Sequence, residues 1–186
     1  MLFVIYLLNF LVVALSIFTV GFLIYVLTSI FYILFLTTAP AVQTDKKHFQ
    51  LILDKLPIGP QTVVADLGCS GGDFLLATAK SKPQKCVGYE LSLFPYLSAK
   101  IKAALFGRGR IEILMKDFFK ADWSRFDILY FYLVPSMLPA VKEKLVKEAK
   151  TGAIAAVKGK ALPDLEYVDK IVLDEKNDYC VYIYKF

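Results

Sequence analysis

Charge is missing from the start of this 186-residue chain, although the whole sequence holds 22 Lys and Arg and 17 Asp and Glu residues. The first charged side chain is Asp45, and from Leu2 to Leu36 even uncharged polar residues are few. A membrane-spanning helix needs about 20 mainly apolar residues. We therefore predict that residues 1–40 form a single-pass transmembrane anchor and that the charged remainder forms a separate domain.

A cleavable secretory signal is the alternative, because Ala39-Pro40-Ala41 resembles a cleavage site. Signals begin with basic residues and have an apolar region of roughly 7–15 residues, whereas this segment has no basic residue before Lys46 and is much longer. We therefore expect the segment to be retained. Lys46 and Lys47 follow it, and basic flanks remain in the cytoplasm, which predicts a domain on the cytoplasmic side.

The length of the apolar segment does not decide whether it crosses the membrane once or folds back. As one helix, residues 2–36 would extend about 52 Å, compared with about 30 Å for the hydrocarbon core of a bilayer. The segment must tilt, extend beyond the bilayer or fold back near Gly21. We favour one tilted span, because two spans of about 17 residues would each be at the lower limit of length.

Paired cysteines and clusters of metal ligands are also missing. The sequence has three cysteines, Cys69, Cys86 and Cys180, without paired spacing, and one histidine, His48. A structural zinc site needs four closely placed nitrogen or sulfur donors. We predict reduced thiols and no bound metal.

After residue 60, strand patterns alternate with helical patterns. Strands are predicted at 62–66, 85–89, 111–115, 128–133 and 153–157, and helices at 73–80, 96–106 and 140–150. This alternation is typical of an α/β fold with a parallel sheet covered on both faces. Two β-rich runs at 167–173 and 179–184 predict a terminal antiparallel hairpin. The connections at 117–126 and 158–164 are too short for much helix, so we expect no lid domain.

A short helix should precede this sheet. Thr44 can cap a helix that ends before Pro57. Its apolar residues recur at helical spacing: Phe49, Ile52, Leu53 and Leu56. The predicted division is therefore a linker and leading helix at 41–60 and an α/β domain at 61–186.

The first predicted strand ends in a turn of small residues that runs from Asp66 to Gly72. Such a turn lets a ligand lie against the backbone. The dinucleotide pattern G-x-G-x-x-G is absent because Ser70 stands where the second glycine is required, and the Gly-Lys-Ser/Thr ending of a phosphate loop is absent too. An acid before the first glycine suits an ammonium group better than a pyrophosphate. We predict a nucleoside ligand that carries positive charge.

Acids also follow the next two predicted strands, at Glu90 and Asp117. Because parallel strands end at the same edge of a sheet, the three acids predict one pocket. The alternative is that each is a solvated strand end or a helix cap, as we interpret Asp73 in the first helical turn.

These residues resemble the class I, seven-strand methyltransferases that use S-adenosylmethionine, over Thr44 to Phe186. In such enzymes the turn cradles the methionine part, the second acid binds both ribose hydroxyls and the third accepts from the adenine amino group. The resemblance implies a compact Rossmann-like sheet and these cofactor-binding residues: Asp66, Gly68, Ser70, Gly72, Glu90, Asp117 and Phe118. Ser70 departs from the family pattern, which usually has glycine there.

A further resemblance lies between Tyr130 and Pro139, at the end of the fourth strand. The Asn/Asp-Pro-Pro-Tyr/Phe signature of base-amino methylation is absent. With the uncharged N-terminus, this stretch resembles the membrane-associated protein-lysine N-methyltransferases of adenine nucleotide translocase and ATP synthase c-subunit. The resemblance implies catalytic roles for Tyr132, Pro135 and Ser136 and a lysine of a membrane protein as acceptor.

The residues alone leave other functions open. The acceptor could be a lipid, a quinone or another small membrane molecule, or the chain could be a noncatalytic membrane scaffold. The net charge of +5 favours contact with anionic lipid without any role in nucleic-acid binding. Several aromatic side chains either fill the core or hold an alkylammonium by cation–π contact: Phe118, Phe119, Trp123, Phe131 and Tyr132.

Overall fold

The computed structural model describes residues 2–35, 46–175 and 179–186, and the chain divides into two compact units, Met1–Thr38 and Ala39–Phe186. The first unit is the helix α1, Leu2–Phe35, which continues through Gly21 without a turn. Its 34 residues correspond to a length of about 51 Å. The part from Leu2 to Ser29 is long and apolar enough to cross a membrane.

Two hydroxyl groups near the middle of α1 bond to the backbone of their own helix. Ser16 Oγ donates to the carbonyl of Val12, and Thr19 Oγ1 donates to that of Leu15, both at 2.8 Å. Within a bilayer, polar groups have no water to bond with and need internal partners. These hydroxyls are therefore compatible with a lipid environment.

The second unit is built on a seven-stranded sheet with the order β3-β2-β1-β4-β5-β7-β6. The strands are β1 Val63–Leu67, β2 Lys85–Tyr89, β3 Ile111–Leu114, β4 Ile128–Tyr132, β5 Ile154–Gly159, β6 Asp169–Asp174 and β7 Tyr179–Lys185. The first five pair in parallel, and β7 is antiparallel to both β5 and β6. The predicted fold class is confirmed, while residues 176–178 between the last two strands lie outside the described residues.

Among the described residues, four α-helices accompany the sheet: α2 Lys46–Leu53, α3 Asp73–Ala79, α4 Leu93–Phe106 and α5 Leu138–Glu148. Buried residues of α2, α3 and α4 form one hydrophobic cluster, and those of α5 belong to a second cluster. The apolar positions predicted for the leading helix are buried, whereas its predicted cap, Thr44, lies outside the described residues. Helix α4 begins three residues before the prediction, because Pro95 is tolerated in a first helical turn.

Gly88, in the middle of β2, leaves room for the turn that follows β1. A Cβ atom there would lie 2.7 Å from both Cys69 Sγ and Leu75 Cδ1. We expect Gly88→Ala to lower the free energy of unfolding by about 1–3 kcal/mol, the usual cost of overpacking. Urea unfolding followed by fluorescence of Trp123, the one tryptophan in the sequence, measures this change.

Gly59→Ala is the matched control, because a Cβ at Gly59 would meet its nearest atom, Thr62 Oγ1, at 3.9 Å. This variant should unfold at nearly the urea concentration of the wild type. Equal stability of the two alanine variants would show that the space beside Gly88 is not needed.

Candidate active site

The turn after β1 is tied to the end of β2 by backbone hydrogen bonds. Gly68 N and Cys69 N both donate to the carbonyl of Tyr89, at 3.0 and 2.9 Å. Gly68 has φ +103° and Gly72 has φ +77°, values that glycine adopts without a steric penalty. The turn therefore needs glycine at these two positions in order to close against β2.

Ser70 also has a left-handed backbone, with φ +46°. This conformation explains why glycine is usual at the position, since a side chain is disfavoured there. Ser70 N donates to Glu90 Oε2 at 2.9 Å, a bond that fixes the turn in spite of the substitution. The serine is thus accommodated without opening the turn.

Glu90 organises the neighbouring loop as well. Its other carboxylate oxygen, Oε1, accepts from Ser92 N at 2.7 Å. Each oxygen of a carboxylate has a second lone pair, so both can accept a further hydrogen bond from ligand hydroxyls. Glu90 is therefore positioned to shape the pocket and to bind a ligand at the same time.

Asp66 is a buried carboxyl, with 3% of its surface exposed, at the carboxyl end of β1. Burial, and then the charge of Glu90, raise its pKa well above the ordinary value. Within the described part of the chain, no group donates a hydrogen bond to its carboxylate. A cationic ligand group at this point would offset the cost of a charged carboxylate in a buried position. Asp66 therefore fits the ammonium of an amino-acid moiety.

The raised pKa of Asp66 predicts how stability depends on pH. Because the folded state retains this proton to higher pH than the unfolded state, the contribution of Asp66 to stability falls as pH rises above about 4. We expect the neutral variant Asp66→Asn to gain stability over the wild type between about pH 5 and pH 8. Urea unfolding of both proteins without ligand, at each pH, tests this. A wild type whose advantage grows with pH would contradict it.

Asp117 follows β3 and begins a 3₁₀ helix, Phe118–Lys120. Its Oδ1 accepts from Phe119 N at 2.9 Å, so it is a helix cap, as the alternative interpretation expected. The other oxygen takes no part in that bond and remains a possible acceptor. Asp73, in contrast, makes no side-chain cap and pairs with Lys102 Nζ at 3.0 Å.

Most of the aromatic candidates belong to the core. Trp123 and Phe131 are fully buried and Phe118 nearly so, in the hydrophobic cluster that contains α5. The indole Nε1 of Trp123 donates to the carbonyl of Phe118 at 2.9 Å. These three rings therefore stabilise the fold.

Tyr132, at the end of β4, lies beside a buried lysine whose position could not be inferred from the sequence. Lys158 Nζ lies 4.4 Å from the centre of the Tyr132 ring and 4.7 Å from that of Tyr179, and Lys158 is fully buried. Burial, and then a hydrogen bond with Tyr132, raise the pKa of Tyr179. The two tyrosines thus already enclose the amine of one lysine side chain.

Pro135 and Ser136 lie in a single 3₁₀ turn, Pro135–Met137, between β4 and α5. Both are exposed, whereas Tyr132 is half-buried at the end of the strand. The three predicted catalytic residues therefore share one loop region without forming a described hydrogen-bonded set. Among the described residues there is also no cluster of metal-ligating side chains.

The family model of the ANTKMT methyltransferase domain matches residues 66–167, which is more than half of the chain. The chain belongs to this family. The matched range begins at Asp66 and includes Glu90, Asp117 and the loop after β4. The resemblance to class I methyltransferases is confirmed, and the protein is an S-adenosylmethionine-dependent methyltransferase.

Individual relatives agree with this assignment. A protein-lysine N-methyltransferase of Saccharolobus islandicus (strain REY15A) is 29% identical over 120 residues, which cover 61% of this chain and 71% of that protein. A carboxy-S-adenosyl-L-methionine synthase of Nautilia profundicola is 31% identical over 142 residues, which cover 72% of this chain and 60% of that protein. The chain therefore spans less than two thirds of the second relative.

Among solved structures, the RNA methyltransferase from Salinibacter ruber in complex with S-adenosyl-L-homocysteine has a TM-score of 0.71 and 21% identity. The match covers 77% of this chain and 93% of that one. At this identity the likeness shows the fold alone. This chain therefore has the same fold as that methyltransferase over nearly the whole length of that structure.

Proposed function

We propose that this enzyme methylates lysine side chains of a membrane protein. One observation above all supports the choice of acceptor: the family match begins at Asp66 and runs past the loop after β4, and the Saccharolobus relative is a protein-lysine N-methyltransferase. The apolar helix α1 supports a substrate in the membrane. Residues 1–40 then serve as the anchor, 41–60 as the linker and leading helix, and 61–186 as the catalytic domain.

The cofactor site we propose uses the residues predicted from the sequence. S-adenosylmethionine supplies a methyl group carried on a positively charged sulfur. Asp66 holds the ammonium group, and Gly68, Ser70 and Gly72, which have left-handed backbones, shape the turn that receives the methionine part. Glu90 accepts from the ribose hydroxyls. The adenine end is bounded by Asp117 and Phe118.

The acceptor lysine must lose its proton before it can attack. The ordinary pKa of lysine is about 10.4, and a nearby positive charge or loss of water lowers it. Lys158 is fully buried and its Nζ lies 4.4 Å from the Tyr132 ring, so a second amine that enters beside Tyr132 loses contact with water, which favours its neutral form. The hydroxyls of Tyr132 and Ser136 then orient that amine, and Pro135 fixes the turn that presents Ser136.

Removing these hydroxyls should slow transfer without weakening cofactor binding. We expect Tyr132→Phe and Ser136→Ala each to lower kcat by roughly 10–100-fold, the scale of a lost orienting or proton-accepting group. The dissociation constant for S-adenosylhomocysteine should stay near that of the wild type. Methyl-lysine formation in membranes, followed by mass spectrometry, and calorimetry measure the two effects.

Tyr167→Phe is the matched control, because Tyr167 is a partly exposed tyrosine before β6 and its ring packs on Tyr182. Loss of the Tyr167 hydroxyl should change neither the rate of methyl-lysine formation nor the dissociation constant for S-adenosylhomocysteine. If Tyr132→Phe weakened cofactor binding as much as it slowed transfer, Tyr132 would belong to the cofactor site and not to the acceptor site.

The proposed topology has one span and a cytoplasmic catalytic domain. The uninterrupted helix α1 supports a single crossing, and the lysines at positions 46 and 47 support retention of the domain in the cytoplasm. Anchoring keeps enzyme and substrate in one membrane and raises their effective concentration without new contacts. A domain without a lid can then act on a lysine close to the bilayer surface.

A further inference from the structure

Helix α4 presents its large apolar side chains to the outside of the domain. Its buried residues are two alanines, Ala99 and Ala103. Five larger side chains, each between 39% and 69% exposed, form what we term the outer stripe: Leu93, Phe94, Leu97, Ile101 and Leu105. They recur at helical spacing and lie on one side of the helix. The stripe is therefore a continuous apolar surface and not a set of scattered residues.

The charged residues of α4 and of the turn that follows it are all cationic. Between Glu90 and Glu112 the sequence contains four cationic residues and no acid: Lys100, Lys102, Arg108 and Arg110. Lys102 is paired with Asp73, and Arg110 donates to the carbonyl of Pro83. Lys100 and Arg108 are exposed beside the stripe.

We propose that the outer stripe of α4 docks on an anionic lipid surface. Exposed apolar patches with a polar rim mark interaction surfaces, and an apolar face bordered by cations is typical of helices that lie in the membrane interface. A second copy of the chain is a poorer occupant, because two apposed stripes would bring Lys100 and Arg108 of both copies together. An anionic lipid complements these charges.

The length of the connection between α1 and α2 is consistent with this occupant. Ten residues separate the end of α1, Phe35, from the start of α2, Lys46. Whatever their conformation, they reach at most about 40 Å when fully extended. The domain therefore stays beside any bilayer that holds α1, and the inference rests on the proposed membrane anchoring.

Docking through α4 would bring the cofactor pocket to the membrane surface. Ser92, which precedes α4, donates its amide to Glu90 at 2.7 Å. A Cβ atom at Gly72 would lie 3.1 Å from the Cβ of Ala99. The helix that we assign to lipid thus packs directly against the turn that holds the cofactor, which would favour acceptors at the depth of the lipid headgroups.

Quenching by brominated lipids tests the docking in the full chain. Ile101→Cys and, as matched control, Val146→Cys are labelled with bimane in nanodiscs of phosphatidylcholine and phosphatidylglycerol. Val146 is an apolar residue of α5, 62% exposed and on the opposite side of the sheet. The three native cysteines are buried, so an exposed cysteine reacts first, and the unsubstituted protein gives the background.

We expect lipid bromines to quench the label at position 101 and not the label at position 146, most strongly at about 5–10 Å below the headgroup boundary. Adding Leu97→Glu should reduce quenching at 101, whereas Val146→Glu should not. Equal quenching at the two positions, or dimerisation through α4 without quenching by lipid, would overturn the inference. A chain that does not copurify with nanodiscs would overturn the proposed anchoring instead.

Discussion

Glu90→Ala is expected to weaken binding of S-adenosylhomocysteine by about 2–4 kcal/mol, roughly 30- to 1,000-fold in the dissociation constant. The change removes the acceptors proposed for the ribose hydroxyls. It also releases the amides of Ser70 and Ser92, which Glu90 holds at 2.9 and 2.7 Å. Calorimetry on the full-length protein in detergent measures the loss.

Glu112→Ala separates this effect from a general loss of negative charge. Glu112 lies on β3 and forms an exposed ion pair with Lys85 at 2.6 Å, away from the turn. Its removal should leave the affinity unchanged, because exposed pairs contribute little. If Glu90→Ala bound S-adenosylhomocysteine like the wild type, the proposed ribose site would be wrong.

Removal of residues 1–40 is expected to reduce methylation of membrane-embedded substrate by roughly 100-fold or more, the scale of a lost effective concentration. The affinity for S-adenosylhomocysteine should change by less than about twofold, because the proposed cofactor residues all lie in the second unit. Methyl transfer to native membranes and calorimetry with the truncated protein provide the two values.

An unrelated transmembrane helix of equal length in place of residues 2–35 is the control for the anchor. It should restore methylation, because tethering alone is required. Loss of cofactor affinity on truncation would show that the segment supports the fold, and undiminished methylation would show that anchoring has no role in the choice of substrate.

The sequence predicted the strand ends that carry the three acids better than their surroundings. Asp66, Glu90 and Asp117 could be located because each follows a short apolar run, and parallel strands place such ends at one edge of a sheet. The leading helix was predictable from the spacing of four apolar residues. These features are local in the chain, so a pattern within one segment is sufficient to find them.

Features that depend on distant contacts were not predictable in this way. The contact of Lys158 with Tyr132 and Tyr179 needs the pairing of β5 with both β4 and β7. The predicted helix began at residue 96, whereas α4 begins at Leu93 and includes Pro95 in its first turn. The outward direction of its apolar residues depends on the two alanines that pack inward, which becomes clear only when the helix is placed on the sheet.

Labelling of native membranes tests the central claim most directly. Membranes from a strain that lacks this gene are incubated with the full-length enzyme and S-adenosylmethionine that carries a radioactive methyl group, with Glu90→Ala as the inactive control. Protein is then separated from extracted lipid, and the protein is hydrolysed. We predict radioactivity in the protein fraction, recovered as methyl-lysine. Radioactivity only in the lipid extract, without methyl-lysine in the membrane proteins, would contradict a protein-lysine methyltransferase and favour a small membrane molecule as the acceptor.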